Sequence, residues 1–99
     1  MQVTIQLLSS AINDLLDARR FYEQQRNGLG AYFFDSIFAD IDKLTLYAGC
    51  HPKYFGYYRM LAKKFPYAIY YKMNDTSVAV VWRILDMRRS PYKIKQLLP

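Results

Sequence analysis

The sequence predicts an α+β fold: an N-terminal strand and an antiparallel helical hairpin packed on one face of a small, mostly antiparallel sheet. Three observations carry this prediction. In the first half, apolar residues recur three or four positions apart, the period of a helix with one buried face. In the second half the pattern changes to aromatic and β-branched runs, FPYAIYYKM (65–73) and SVAVVWRIL (77–85), which fit strands. Only Asn74, Asp75 and Thr76 separate the two runs, a short polar break that reads as the turn of a β-hairpin.

Taken in order, Val3, Ile5 and Leu7 alternate with Gln2, Thr4 and Gln6, giving a short half-buried strand. Ser9 or Ser10 then supplies a hydroxyl to cap the first helix. In that helix Ile12, Leu15, Leu16, Arg19 and Tyr22 share a stripe, and Asp14, Asp17, Arg20 and Glu23 are expected away from it. Asn27, Gly28, Leu29 and Gly30 end the helix and turn the chain, so the second helix returns antiparallel. It is expected over 29–47, with Leu29, Phe33, Ile37, Ile41 and Leu44 facing the core and Phe34 and Phe38 widening the stripe. GCHPKYFG (49–56), marked by Gly, Pro and His, reads as a loop. Strands follow at 57–61, 65–73 and 77–85, the first two joined by the basic turn Ala62, Lys63, Lys64. Pro91 suits the first turn of a last short helix or tail over 92–98.

A chain of 99 residues makes one domain, 1–99, with one modest core. A hydrophobic share of 53% and 17% aromatics exclude a disordered chain. No apolar run reaches the roughly 18 residues of a membrane span. MQVTIQLLSS also lacks a basic leader with a cleavage site, so a cytoplasmic protein that does not engage membranes is expected. Cys50 is the single cysteine and His51 the single histidine, which excludes a disulfide and argues against a structural zinc site. No cofactor or metal is expected. Charge is divided unevenly: residues 1–50 hold four Lys/Arg against six acids, and residues 51–99 hold ten against two. So basic a sheet-forming half points to a polyanion or an acidic protein partner.

Strand alternation assigns faces. Ile69, Tyr71 and Met73 oppose Ala68, Tyr70 and Lys72, and Val78, Val80, Trp82 and Ile84 oppose Val81, Arg83 and Leu85. A buried unpaired charge is very costly, so Arg83 is expected on the open face with Lys72, Arg59 and Tyr57. Lys63, Lys64, Arg88 and Arg89 fall at the strand ends around that face, where Asp75 and Asp86 are the acids available to pair with them. Cations interleaved with tyrosines suit phosphates and stacked bases. There is no Gly-rich phosphate loop and no pair of histidines at metal-binding spacing. His51 could serve as a general base, but the sequence supplies no orienting partner, and Cys50 beside it reads as a small apolar residue.

The opening AINDLLDARRFYE (11–23), the NGLG turn (27–30), the Phe-rich second helix and Pro52 stand in a characteristic order with Arg59, FPYAIYY (65–71) and RRSP (88–91). That order and spacing resembles the RelE/ParE superfamily of bacterial toxins from type II toxin–antitoxin modules, the ParE or plasmid-stabilisation branch most closely. The resemblance covers essentially the whole chain, and the RelE/ParE-like fold agrees with the architecture read above. It implies a toxin held inactive by a cognate acidic antitoxin in a hetero-oligomer. Superfamily members either cleave ribosome-bound mRNA or poison DNA gyrase. The nuclease class resembles this chain at Arg88 or Arg89 and at Tyr92. However, Ala68 occupies the strand position where such nucleases carry a transition-state-stabilising arginine, and Asp86 stands where many relatives carry a histidine. Removing a guanidinium that neutralises developing phosphate charge costs several kcal/mol of barrier. The leading expectation is therefore a toxin that binds and inhibits DNA gyrase, with Arg59, Lys72, Arg83, Arg88 and Arg89 in contact with the target. The alternatives are an mRNA endonuclease using Arg59, Lys63, Lys64, Arg88, Arg89 and Tyr92, and a degenerate toxin that retains only antitoxin binding. On the nuclease argument, Ala68→Arg should raise cleavage if the remaining groups are in place.

Overall fold

The computed structural model describes residues 2–99. The chain runs β1 (Thr4–Leu7), α1 (Ser9–Gln25), α2 (Leu29–Asp42), α3 (Leu44–Tyr47), β2 (Lys53–Tyr54), β3 (Tyr57–Leu61), β4 (Tyr67–Asn74), β5 (Val78–Asp86) and α4 (Pro91–Leu97). The five strands lie in the order β1-β5-β4-β3-β2; β1 is parallel to β5 and every other pair is antiparallel. The architecture is the α+β one the periodicities predict, and 65–73 contains no helix. Three details are additions: β2 is a two-residue strand inside the expected 49–56 loop, the second helix breaks at Lys43 into α2 and α3, and α4 is a helix rather than a tail. No helix among the described residues is long and apolar enough to cross a membrane.

The helical hairpin turns where glycine permits it. Gly28 sits at φ +86°, a conformation that costs glycine little, and the Glu23 carboxylate accepts the backbone N–H groups of Gly28 and Gly30. Those two N–H donors hold the Glu23 carboxyl below the usual carboxylate range. At Gly30 the two helices approach closely, since a Cβ there would lie 2.6 Å from the Arg19 carbonyl oxygen. Gly30→Ala is accordingly expected to force the helices apart and lower stability by about 1–3 kcal/mol. Urea unfolding checks this, and a loss within about 0.5 kcal/mol would mean that the hairpin has slack.

The core lies between hairpin and sheet. Ala11, Leu15, Ala18 and Tyr22 of α1 and Phe33, Ile37, Ile41 and Leu44 of α2–α3 pack on Met60, Tyr67, Ile69, Tyr71, Ala79, Val81 and Ile84. The α2 stripe is the expected one except at Phe38, which lies at its margin and is 40% exposed. The α1 stripe is rotated from the expected one: Ile12 and Leu16 are 45% and 39% exposed, while Ala11 and Ala18 are buried. Alanine at the contact lets α1 lie close to its neighbours, a packing benefit that a search for large apolar residues passes over.

The opposite sheet face is covered too. Ile94 and Leu98 of the C-terminal segment pack on Tyr57, Ala68, Tyr70 and Leu85, with Trp82, Met87 and Leu97 at the margin. The sheet thus lies between two layers, and the face expected to be open is largely sealed by α4. The expected faces of β5 also change. A register shift opposite Tyr70 and Tyr71 inserts one extra residue, so Ala79, Val81 and Ile84 all face the hairpin while Trp82 and Leu85 face α4. Strict alternation cannot anticipate a bulge.

Candidate functional site: the basic end of the sheet

The β3–β4 turn and the end of β5 meet at one end of the sheet, where Met87 N–H donates to the Pro66 carbonyl across 2.7 Å. Lys63 and Lys64 are exposed on that turn, and Arg88, Arg89 and Ser90 leave β5 beside it. Ser90 caps α4 by accepting from Lys93 N–H, with Pro91 in the first turn, which fixes the path after the arginines. Under this exit lies a cleft of about 260 Å³ whose lining includes Asp17, Phe21, Tyr67, Asp86, Arg88 and Arg89. Burial, reinforced by Tyr22 and then Asp86, pushes the Tyr67 hydroxyl well above the ordinary phenol range, so it stays protonated there.

The cations are not equally available. Arg88 is clamped: Nε and Nη2 donate to the Asp86 carboxylate, with Nη2–Oδ2 at 2.6 Å, and Arg88 N–H donates to Asp86 Oδ1 at 2.8 Å. Hydrogen bonding by Arg88 holds the Asp86 carboxyl below its usual range. Asp75, the other candidate acid, makes no ion pair among the described residues and instead accepts Thr76 N–H. Arg89 is exposed and has no carboxylate within 4.0 Å among the described residues, leaving it the available guanidinium of the pair. Tyr92 is 69% exposed on α4, its hydroxyl oxygen accepting from Gln96 Nε2.

Lys72 and Arg59 belong to a second patch toward the β2 edge. Lys72 Nζ lies 4.5 Å from the ring centre of Tyr57 and 5.3 Å from that of Trp82. The Arg59 guanidinium lies 3.6 Å above Tyr54, and its Nε is buried with no hydrogen-bond partner among the described residues. Lys64 rides over Tyr32. These cation–aromatic contacts hold the charges while leaving the ammonium groups able to meet an anion.

Arg83 is not on an open face. Its Nε and Nη2 donate to the two Asp14 oxygens at 2.8 Å each, and Nη1 donates to the Leu97 carbonyl at 2.9 Å. The sequence reading placed Asp14 away from the packed side of α1, and the shortness of β1, whose pairing with β5 stops at Val81, explains the difference. Where β1 ends, β5 continues as an edge, and α1 covers that edge: Ser10 Oγ donates to the Trp82 carbonyl, and Asp14 Oδ2 accepts Ile84 N–H. Buried edge groups need such partners. Ser10 therefore serves the sheet rather than capping its own helix, which has no side-chain cap. Ala68, the proposed site for a restored arginine, is fully buried beneath α4. A guanidinium there would displace the helix instead of reaching solvent, so Ala68→Arg should cost stability rather than raise cleavage.

Two buried polar arrangements were missed. Asp40 is 5% exposed and accepts Lys63 N–H at 3.0 Å and Lys43 Nζ at 3.2 Å. Its signal was present, because Phe33, Ile37, Asp40 and Leu44 continue one helical stripe. His51 does have a partner, the Tyr71 hydroxyl, far away in sequence.

The chain belongs to the family described as ParE toxin of type II toxin–antitoxin system, parDE, whose model matches residues 5–91. Among solved structures it is similar to a chain titled "Chromosomal ParDE TA system from P. aeruginosa", with a TM-score of 0.74 and 13% identity. That likeness covers 88% of this chain and 98% of the other, and at this identity it speaks for the fold alone. Comparison with curated protein sequences gives no match.

Proposed function

We propose that this ParE-family toxin acts in the cytoplasm by binding and inhibiting DNA gyrase, and that a cognate acidic antitoxin neutralises it. The observation that carries a binding rather than a cleaving mechanism is the state of the groups phosphoryl transfer would need. Arg88 is paired with Asp86, Arg83 is paired with Asp14, and the Ala68 position is sealed under α4. Strong electrostatic catalysis requires unneutralised charge aimed at the reacting phosphate. A binding surface needs less, and Arg89, Lys63, Lys64, Lys72 and the exposed Tyr92 suit an acidic or nucleic-acid-bearing target. An acidic antitoxin segment has both surfaces it requires. Ile12, Leu16 and Phe38 are half-exposed on the hairpin, and the cations of the sheet supply charge complementarity.

Supercoiling by purified gyrase, run beside a ribosome-dependent mRNA cleavage assay, tests the reading. Inhibition of supercoiling without cleavage is expected. Arg89→Ala should weaken inhibition by about 1–3 kcal/mol if its guanidinium makes a charged hydrogen bond to the target. Arg88→Ala should weaken it less, because its pair with Asp86 must first be disrupted. Robust mRNA cleavage, lost on Arg59→Ala or Arg88→Ala, would overturn the assignment. Antitoxin affinity should fall as salt is added, and a salt-independent affinity would remove the electrostatic part.

A further inference from the structure

We propose that His51 is a pH-responsive latch on the 49–54 loop: protonation of its ring breaks its bond to Tyr71 and frees one wall of a groove beside β3. The groove measures about 490 Å³, and its lining includes Asp40, Lys43, His51, Pro52, Arg59 and Met60. Lys53 and Tyr54 pair with β3 as β2, and ahead of that strand the loop is tied to the sheet by three hydrogen bonds. Gly49 N–H donates to the Tyr71 hydroxyl at 2.9 Å, His51 Nδ1 meets the same hydroxyl, and Arg59 N–H donates to the Pro52 carbonyl at 2.9 Å. Two of these three ties converge on one oxygen.

Proton accounting makes that junction directional. The Tyr71 oxygen accepts from Gly49, so its single proton is the one shared with His51, and Nδ1 must be the unprotonated acceptor with the ring proton on Nε2. A second ring proton turns Nδ1 into a donor facing a hydroxyl whose own proton then has no partner. Tyr71 is 0% exposed, so water cannot take over that proton without opening the loop. The latch and the imidazolium are therefore mutually exclusive.

The surroundings do not rescue the charged ring. On its own loop the neighbour is the Cys50 thiol, about 3.9 Å from Nδ1. From β4 comes Tyr71, set edge-on, with Tyr58 of β3 stacked behind it and Lys53 of β2 over Tyr58. Across the groove stand Lys43, Lys63 and Arg59, which repel an imidazolium. Asp40 is the carboxylate among the groove residues, and it already holds Lys63 N–H and Lys43 Nζ. Burial lowers the His51 pKa from its ordinary value. A depressed folded-state pKa means the contribution to stability is complete above the unfolded value of about 6.5 and is lost as pH falls through the lower folded value. In acid the groove both loosens and becomes more positive.

Amide NMR and hydrogen exchange on the full chain test this. From about pH 7.5 to about pH 5, Gly49 and Arg59 amide shifts should titrate together with a midpoint below about 6.5. Gly49 protection, normalised for intrinsic exchange, should drop about tenfold, the scale of one lost hydrogen bond. His51→Gln retains an acceptor that does not titrate and should abolish both responses. Tyr71→Phe should move the His51 midpoint up toward its ordinary value, a readout that remains valid if this variant is merely less stable. A wild-type midpoint at or above about 6.5, an undiminished Gly49 response in His51→Gln, or an unshifted midpoint in Tyr71→Phe would each overturn the proposal.

Discussion

Asp14→Ala is expected to lower stability by about 3 kcal/mol, more than a surface acid should. Three things fail together. The Arg83 guanidinium loses both of its acceptors on α1, Ile84 N–H loses its partner, and α1 keeps only the Ser10 bond to the β5 edge. The side chains of Arg83 and Asp14 are 20% and 13% exposed, so water screens the pair only weakly, while enough access remains to keep the loss below that of a fully buried charge. Replacing Arg83 by Met as well should recover part of the loss, because the stranded charge goes with it. Urea unfolding of both single variants and the double variant gives the coupling directly. A loss under about 1 kcal/mol for Asp14→Ala, or strict additivity, would show that α1 is held by apolar packing alone.

The hydrogen bonds around Asp14 also mark where sequence reading ends. Element types, strand order within 57–85, the hairpin turn and the α2 stripe all follow from periodicity and turn chemistry, which are local. The β5 bulge is not local: Trp82 looks like one more member of an alternating strand until Tyr70 and Tyr71 are placed opposite it. The bulge turns Val81 to the hairpin and Trp82 to α4, whereas Ile84, Leu85 and Arg83 keep the faces that alternation assigns them, Arg83 reaching Asp14 around the uncovered β5 edge. The error in the α1 stripe has a different origin, since alanines bury little area yet decide how close a helix can lie. For the candidate site, the presence of cations at strand ends was legible from the sequence. Which of them are neutralised was not fully legible, because Arg83 pairs across 69 positions and Arg88 across two. Only the second pairing was open to inspection along the chain. His51 and Tyr71 are likewise 20 positions apart, so neither residue announces the other.

Phe33→Ala should be the most damaging single truncation, at about 3–5 kcal/mol. Phe33 is 0% exposed and stands at the centre of an aromatic box: Tyr22 stacks on it at 4.9 Å, Phe65 meets it edge-on at 4.9 Å, and Tyr67 meets it at 5.1 Å. Truncation leaves a ring-sized void among rigid neighbours that cannot collapse into it, and removes aromatic contacts worth about 0.5–1.5 kcal/mol each beyond area burial. Phe33→Leu keeps most of the volume and should cost clearly less. The damage should also spread toward the candidate site along a traceable route. Phe65 leads into β4, Tyr67 pairs with Asp86 across the β4–β5 ladder, and Asp86 holds Arg88. Denaturant unfolding gives the size of the effect. Exchange at the Met87 amide, which is bonded to Pro66, reports whether the end of the sheet loosens with it. If Phe33→Ala costs less than about 2 kcal/mol, or leaves Met87 protection unchanged relative to global stability, the box does not support the basic exit and the two regions are independent.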